Sequence, residues 1–225
     1  MKLGVILVAG GTGTRMGSSL PKQYLPLAEK PLAQHSLDLF LQLQELQELI
    51  VVCAPEYQFH FSGQTRFALP GVLRQDSVWN GLQQLDPSID LVCIHDAARP
   101  LITLPLIHKV LQAAKTTGAA TLAMPLKFTV KKGSEDQLVE DTPNRSTLWE
   151  IQTPQVLRRD WLEEGFTYAR THNQIVTDDV SLIEPLGYPV KLVNGCYTNL
   201  KITTPEDLVL AEYLWKNRTT STSSS

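Results

Sequence analysis

The residues with the clearest chemical potential stand together in the stretch LGVILVAGGTGTRMGSSLPKQY, residues 3–24. Gly10, Gly11 and Gly13 follow an apolar run, and with no Cβ in the way their backbone N–H groups can converge on an anion. Thr12 and Thr14 add hydroxyl donors, and Arg15 and Lys22 add two positive charges. Such a set suits a polyphosphate. Two familiar glycine loops fit poorly. A P-loop needs Lys followed by Ser or Thr directly after its last glycine, where Thr14-Arg15 stands here. A dinucleotide fingerprint needs glycine where Met16 stands and an acidic residue closing the second strand, which Ile50 to Cys53 lacks. The alternative for glycines alone is an ordinary strand-to-helix turn; the two cations and Pro21-Lys22 argue against it.

A second chemical group lies in LVCIHDAARPLI, residues 91–102. Leu91 to Ile94 reads as a buried strand, which puts His95, Asp96 and Arg99 at its carboxyl end, where open α/β sheets place their ligands. An aspartate there can hold a hydroxyl or sit beside a magnesium ion, and an arginine can orient a phosphate. A salt-bridged Asp96–Arg99 turn is the structural alternative.

The elements that must position these groups follow from periodicity. The run ahead of Gly10 is a buried strand. Pro31 to Glu48 carries Leu32, Leu39, Phe40, Leu43 and Leu46 at helical spacing, and LIVVCAP is a second buried strand, so a parallel sheet with a right-handed crossover is expected. Residues 56–70 have no clear period and fit helix or loop. In PGVLRQDSVWNGL, Ser77 lies near a helix start. Thr103 caps a helix through Leu106 to Ala114 that closes near Gly118, and AATLAMP is another buried strand. From residue 127 to 155 the pattern turns polar; FTVKK and QLVEDT suggest an extended hairpin. Trp161, Leu162, Phe166 and Ala169 share one helix face, and Thr177-Asp178-Asp179 opens a short helix ending before Gly187. A strand carrying Lys201 and a last helix begun by Thr204-Pro205-Glu206-Asp207 complete the chain, and RTTSTSSS, residues 218–225, reads as a disordered tail.

The chain has 225 residues, 43% of them hydrophobic, and we expect one domain over residues 1–217 with an arm at about 127–155. A net charge of -3 gives no general basic field for nucleic acid. Cys53, Cys93 and Cys196 are odd in number and widely spaced, which favours reduced thiols over disulfides or metal ligands. The five histidines show no paired metal-ligand spacing. The first strand begins almost at Met1 and no apolar run spans a bilayer, so a soluble cytoplasmic location is expected.

AGGTGTRMG followed by PKQYLPL resembles the N-terminal signature of nucleotidyltransferases that activate sugars and polyols, and PKQY narrows the resemblance to cytidylyltransferases acting on methylerythritol phosphate or ribitol phosphate. HDAARP and the run R-x-x-L-W-x-x-Q-T-P-Q from Arg145 resemble the methylerythritol phosphate branch; the ribitol phosphate relatives generally lack that arginine and tryptophan. The resemblance implies a Rossmann-like, mostly parallel α/β sheet flanked by helices, with a projecting β-hairpin arm joining a homodimer. It implies CTP held along Ala9, Gly10, Gly11 and Gly13, its base near Gly71 and Ser77, with Arg15 and Lys22 as catalytic cations. It implies a polyol phosphate among Asp96, Arg99, Thr129, Arg145, Thr153, Thr177 and Lys201, and Mg2+ carried mainly by the CTP phosphates with Asp96 nearby. Two departures stand out: Pro70-Gly71 where the family usually has two glycines, and Val8-Ala9-Gly10 where many relatives have Ala-Ala-Gly. No serine, cysteine or histidine is paired with a base as a nucleophile, which agrees with direct displacement. Ribitol 5-phosphate as acceptor, a non-catalytic nucleotide-binding regulatory module and, more remotely, a Rossmann oxidoreductase remain alternatives at this point.

Overall fold

A computed structural model of the chain describes residues 1–11, 20–62 and 65–222. Its strands are β1 (Leu3–Val8), β2 (Pro26–Leu27), β3 (Lys30–Pro31), β4 (Leu46–Val52), β5 (Arg66–Ala68), β6 (Leu91–Asp96), β7 (Ala119–Pro125), β8 (Lys132–Gly133), β9 (Val139–Asp141), β10 (Trp149–Arg158) and β11 (Lys191–Asn194). Its α-helices are α1 (Leu32–Phe40), α2 (Arg74–Gln84), α3 (Leu104–Thr117), α4 (Arg159–Thr171) and α5 (Pro205–Thr222). Seven strands form one sheet in the order β11-β7-β10-β6-β1-β4-β5. β1 runs parallel to β4 and β6, β4 to β5 and β7 to β11; β10 is antiparallel to both of its neighbours. The expected mostly parallel α/β sheet is therefore present.

Helices cover both faces, which is why the central strands read as unbroken apolar runs. Val5, Leu7, Leu91 and Cys93 face α1 and α3 in one buried cluster; Ile6, Val92 and Ile94 face α2 and α4 in the other. α5 packs Ala211 with Leu27, Leu32, Leu101 and Ile202 in a third cluster. Thr103 caps α3 by accepting the Leu106 N–H, and Gly118, at φ +92°, closes it.

Several boundaries differ from expectation. α1 stops at Phe40, because Leu43 is buried in the turn that follows and Leu46 already pairs with Leu3 at the start of β4; the continued leucine spacing belongs to a turn and a strand. Within residues 56–70 there is a short 3₁₀ turn over Pro55–His60 and the edge strand β5. The hairpin ladder is confined to β8 and β9, whereas Trp149–Arg158, part of the stretch expected to form the arm, is the central strand β10. Lys201 lies in an irregular segment after β11, not in a strand. Of the stretch 218–225 expected as a tail, residues 218–222 belong to α5, with Arg218 donating to the carbonyls of Leu101 and Ile102, and residues 223–225 lie outside the described residues.

Candidate functional site

β1 delivers its chain end to the carboxyl edge of the sheet, where its neighbours β4 and β6 also end. The Ala9 N–H bonds to the Val52 carbonyl, and the Ala97 N–H bonds to the Val8 carbonyl, so the glycine turn leaves the sheet from a fixed point. The PKQY segment fastens that turn from behind. Gln23 Nε2 donates to the carbonyls of Ala9 (2.6 Å) and Gly11 (2.8 Å), and the Tyr24 hydroxyl donates to Ala9 (2.9 Å). Tyr24 is buried and stacks on Tyr57 at 4.5 Å, and burial raises its phenol pKa. These bonds anchor the backbone at Ala9 and Gly11. Thr12, Gly13, Thr14 and Arg15 lie outside the described residues.

A Cβ on Gly10 would stand 2.5 Å from the Cβ of Pro70, so the glycine turn and the 70–77 loop are in close contact. Pro70, one of the departures noted in the sequence, is thus the residue that fills the space beside Gly10. Gly71 is tighter still: an added Cβ would meet the Asp76 Cβ at 2.2 Å. The Gly71 N–H donates to Ser77 Oγ (2.9 Å) and the Leu73 N–H to Asp76 Oδ2 (3.0 Å), so the loop is folded onto the first turn of α2. Val8, Gly10, Gly11, Lys22, Gly71 and Ser77 are among the residues around a cavity of about 290 Å³.

A second cavity, about 570 Å³, opens on the other side of Asp96 and is bordered by Thr121, Gln152, Gln155, Thr177, Asp178 and Glu184, among others. Both volumes suit small-molecule ligands. Arg74, Asp96 and Lys201 line both cavities and form the wall between them.

That wall is an ion-pair chain. Arg74 Nη2 is 3.0 Å from Asp96 Oδ1, and its two amino groups fork onto Asp179 at 2.7 and 2.8 Å. Lys201 Nζ is 2.8 Å from Asp96 Oδ2, and Arg99 Nε lies 3.8 Å from that oxygen. Burial alone would raise the Asp96 pKa; the charges of Arg74, Lys201 and Arg99 overcome it and hold the carboxyl well below the usual carboxylate range. Burial likewise would lower the Arg74 pKa, and Asp179 and Asp96 raise it instead. Burial also pushes Asp179 upward, with the Arg74 fork opposing it. Because the fork holds both Asp179 oxygens, we take this pair as ionised.

β10 supplies the next layer. Thr153 Oγ1 accepts the Asp96 N–H (3.0 Å) and lies 3.0 Å from His95 Nδ1, while His95 Nε2 is 3.3 Å from the Arg99 carbonyl. The hydroxyl of Thr153 is thereby committed to orienting β6. His95 is wholly buried, and burial lowers its pKa to about 3, so the imidazole is neutral. Arg99 donates to the Asn199 carbonyl (2.8 Å), and Asn199 donates to the Thr153 carbonyl (3.0 Å). Gln155 Oε1 accepts the N–H groups of Asp179 (2.7 Å) and Val180 (3.0 Å), fastening the 177–180 segment.

Within the described residues, the sequence-derived candidates thus divide three ways, with Gly13 and Arg15 outside them. Lys22, Ala9, Gly10, Gly11, Gly71 and Ser77 gather around the first cavity or immediately behind it. Asp96, Arg99, Thr153, Thr177 and Lys201 gather at the second. Thr129 and Arg145 are exposed and border neither; Arg145 donates to the Lys127 carbonyl (3.0 Å) and braces the base of the hairpin. Sequence reasoning missed Arg74, Gln155 and Asp179 as site residues. Arg74 follows the Gly71 loop directly, at the first position of a helix, which is the local signal that could have drawn attention to it.

A Rossmann-like sheet with a glycine turn after its first strand and a cation-rich wall between two cavities defines the class, a nucleotidyltransferase of the α/β type. The chain belongs to the 2-C-methyl-D-erythritol 4-phosphate cytidylyltransferase family, whose model matches residues 3–217. It is 49% identical over 221 residues to the chloroplastic 2-C-methyl-D-erythritol 4-phosphate cytidylyltransferase of Oryza sativa subsp. japonica, a match that covers 95% of this chain and 74% of that one. It is 40% identical over 222 residues to the protein of the same name from Caldanaerobacter subterraneus subsp. tengcongensis, covering 94% of this chain and 98% of the other. The crystal structure of 2-C-methyl-D-erythritol 4-phosphate cytidylyltransferase from Thermus thermophilus is similar at a TM-score of 0.79 and 34% identity, covering 95% of this chain and 98% of that one. That of 4-diphosphocytidyl-2C-methyl-D-erythritol synthase from Anaerococcus prevotii is similar at 0.85 and 29%, covering 96% of each.

Proposed function

We propose that the chain transfers the cytidylyl group of CTP to 2-C-methyl-D-erythritol 4-phosphate, giving 4-diphosphocytidyl-2-C-methyl-D-erythritol and pyrophosphate. The observation that supports this reading is the wall of Arg74, Asp96 and Lys201 shared by two cavities, one beside the glycine turn and one bordered by Thr177 and Asp178, room for two substrates on either side of one charged boundary. CTP lies along the glycine turn, with its base toward Gly71 and Ser77. An acceptor phosphate oxygen attacks the α-phosphorus in line; a new P–O bond forms as the bond to the β-phosphate oxygen breaks, and pyrophosphate leaves with the electron pair. The attacking oxygen is already anionic, so no general base is required. The neutral, buried His95 agrees with that, since it faces Thr153 and a backbone carbonyl. Lys22 and Arg15 stabilise charge on the phosphates, and Lys201 adds a further positive charge from the wall between the cavities.

Magnesium enters this reading on the triphosphate. Asp96, the side chain proposed to lie near it, has its oxygens in ion pairs with Arg74 and Lys201, and no cluster of three or more metal-ligating side chains exists among the described residues. These residues do not fit a side-chain cage for the ion, which the triphosphate oxygens would hold. A homodimer joined by the hairpin completes the proposal. Phe128, Leu138 and Val139 are more than 60% exposed on that hairpin, an apolar surface suited to a second subunit, and Thr129 and Arg145 would serve the neighbouring acceptor cavity. A soluble, cytoplasmic location belongs to the same reading; no helix among the described residues is long and apolar enough to cross a membrane.

Pyrophosphate release tests the reaction. Purified protein with CTP and magnesium is expected to release it with 2-C-methyl-D-erythritol 4-phosphate and far more slowly with ribitol 5-phosphate, and Lys22→Ala is expected to lose roughly a hundredfold to a thousandfold in rate. Preference for ribitol 5-phosphate would reject the acceptor, and CTP binding without release from either would point to a regulatory module.

A further inference from the structure

The first turn of α2 makes contacts in two directions. Toward the nucleotide cavity, Ser77 Oγ accepts the Gly71 N–H and Asp76 accepts the Leu73 N–H. Toward the acceptor cavity, Arg74 forks onto Asp179, and Gln75 Oε1 accepts the Val176 N–H (2.9 Å) while its Nε2 donates to the Gln174 carbonyl (3.3 Å). Residues 174–180 carry Thr177 and Asp178 at the acceptor cavity, and they have little regular structure of their own beyond the start of a 3₁₀ turn at Val180. Their position is set from outside, by Gln155 on one side and by α2 on the other.

We propose that Arg74 is a positioning residue for the reaction proposed above. It fixes the 174–180 segment, and with it the acceptor, relative to the loop that holds the nucleotide. Arg74 reaches Asp179 with two parallel hydrogen bonds that fix both distance and plane. Its Nε donates to Asp96 Oδ1 at 3.1 Å, so one rigid guanidinium spans β6, α2 and the acceptor segment. Lysine would keep the charge but could not make the fork. In-line displacement requires two bound substrates in register, and a small error in that register lowers the rate steeply.

The test uses full-length Arg74→Lys, Asp179→Asn and the double variant. In steady state the Michaelis constant for 2-C-methyl-D-erythritol 4-phosphate is expected to rise at least tenfold in each single variant, while the dissociation constant for CTP with magnesium, by calorimetry, stays within threefold. The double variant is expected to be no more than about threefold worse than either single one, because the two residues act as one unit. Gln75→Ala, which leaves the ion pairs intact, is expected to raise the same constant by a smaller factor and serves if the charge variants fold poorly. A second arm needs no acceptor. In the wild type, added CTP is expected to slow amide exchange in residues 174–182, and Arg74→Lys is expected to abolish that slowing. The proposal is overturned if the acceptor constant of Arg74→Lys stays within twofold, if CTP affinity falls by as much as acceptor affinity, or if the variant retains the slowed exchange. Absent turnover in the wild type would instead count against the acceptor assignment, and the exchange arm would still report on Arg74.

Discussion

Replacing Asp96 by asparagine keeps the shape of the side chain and removes the negative charge on which three cations converge. The consequences for those cations differ. Arg74 retains its fork on Asp179. The Lys201 side chain is 36% exposed and can turn to water, so its loss weighs little. Arg99, 11% exposed at the side chain, keeps its bond to the Asn199 carbonyl but loses the anion it faces. Breaking a buried ion pair from one side costs about 3–5 kcal/mol. With only Arg99 fully stranded, we expect the lower end, about 3 kcal/mol at pH 7, or a fall of about 6–12 °C in Tm for a chain of this size. Urea unfolding reads this as a lower midpoint with an unchanged slope. The pH dependence gives a second check. The folded-state pKa of Asp96 is depressed, so its contribution is complete above the ordinary aspartate value of about 3.9 and is lost as pH falls below it. The gap between wild type and variant must therefore be full at pH 7 and shrink below about pH 4. A gap under about 1 kcal/mol at pH 7, or one that widens in acid, would refute the reasoning.

Two further outcomes follow from groups outside that wall. His95 is held neutral with a pKa lowered to about 3, so below the ordinary histidine value the unfolded chain binds a proton that the folded chain does not; stability is expected to fall by about 2 kcal/mol between pH 7 and pH 5, and urea midpoints that stay level over this range would show that His95 takes up its proton in the fold. A Cβ on Gly118 would sit 2.2 Å from Trp161, at φ +92°, so Gly118→Ala is expected to cost about 2–3 kcal/mol in a melting experiment while leaving turnover per folded molecule unchanged, because Gly118 borders neither cavity.

What could be read from the sequence is what is local along the chain. The glycine turn, the end of β6 and the α3 cap each depend on residues within a few positions of one another. The missed features depend on distant ones. Arg74 and Asp179 are 105 positions apart, and nothing near either announces the other. Asp179 at the start of a helical turn reads as a cap, which is the local explanation, and its fork with Arg74 is invisible without the fold. β10 escaped for a different reason. Pro154 and a run of polar residues argue against a central strand, yet the ladder to β7 shifts register between Ile151 and Gln155, so the proline falls where pairing is already interrupted. The polar residues at that interruption are the ones that carry the site. Gln152, Thr153 and Gln155 are buried because they bond to β6, to Cys196 and Asn199, and to the 177–180 segment.

β10, antiparallel to both neighbours, is the joint of the sheet. In the sheet, the parallel group β5-β4-β1-β6 and the parallel pair β7-β11 are joined by this strand. The first group carries the end of β1, and β10 supplies Gln152, Thr153 and Gln155 to the larger cavity, so the two cavities draw on parts of the sheet that one strand joins. Loss of β10 from the sheet would separate its two parallel groups and open the larger cavity, while the Gly71–Ser77 contact beside the smaller one would keep its own bonds.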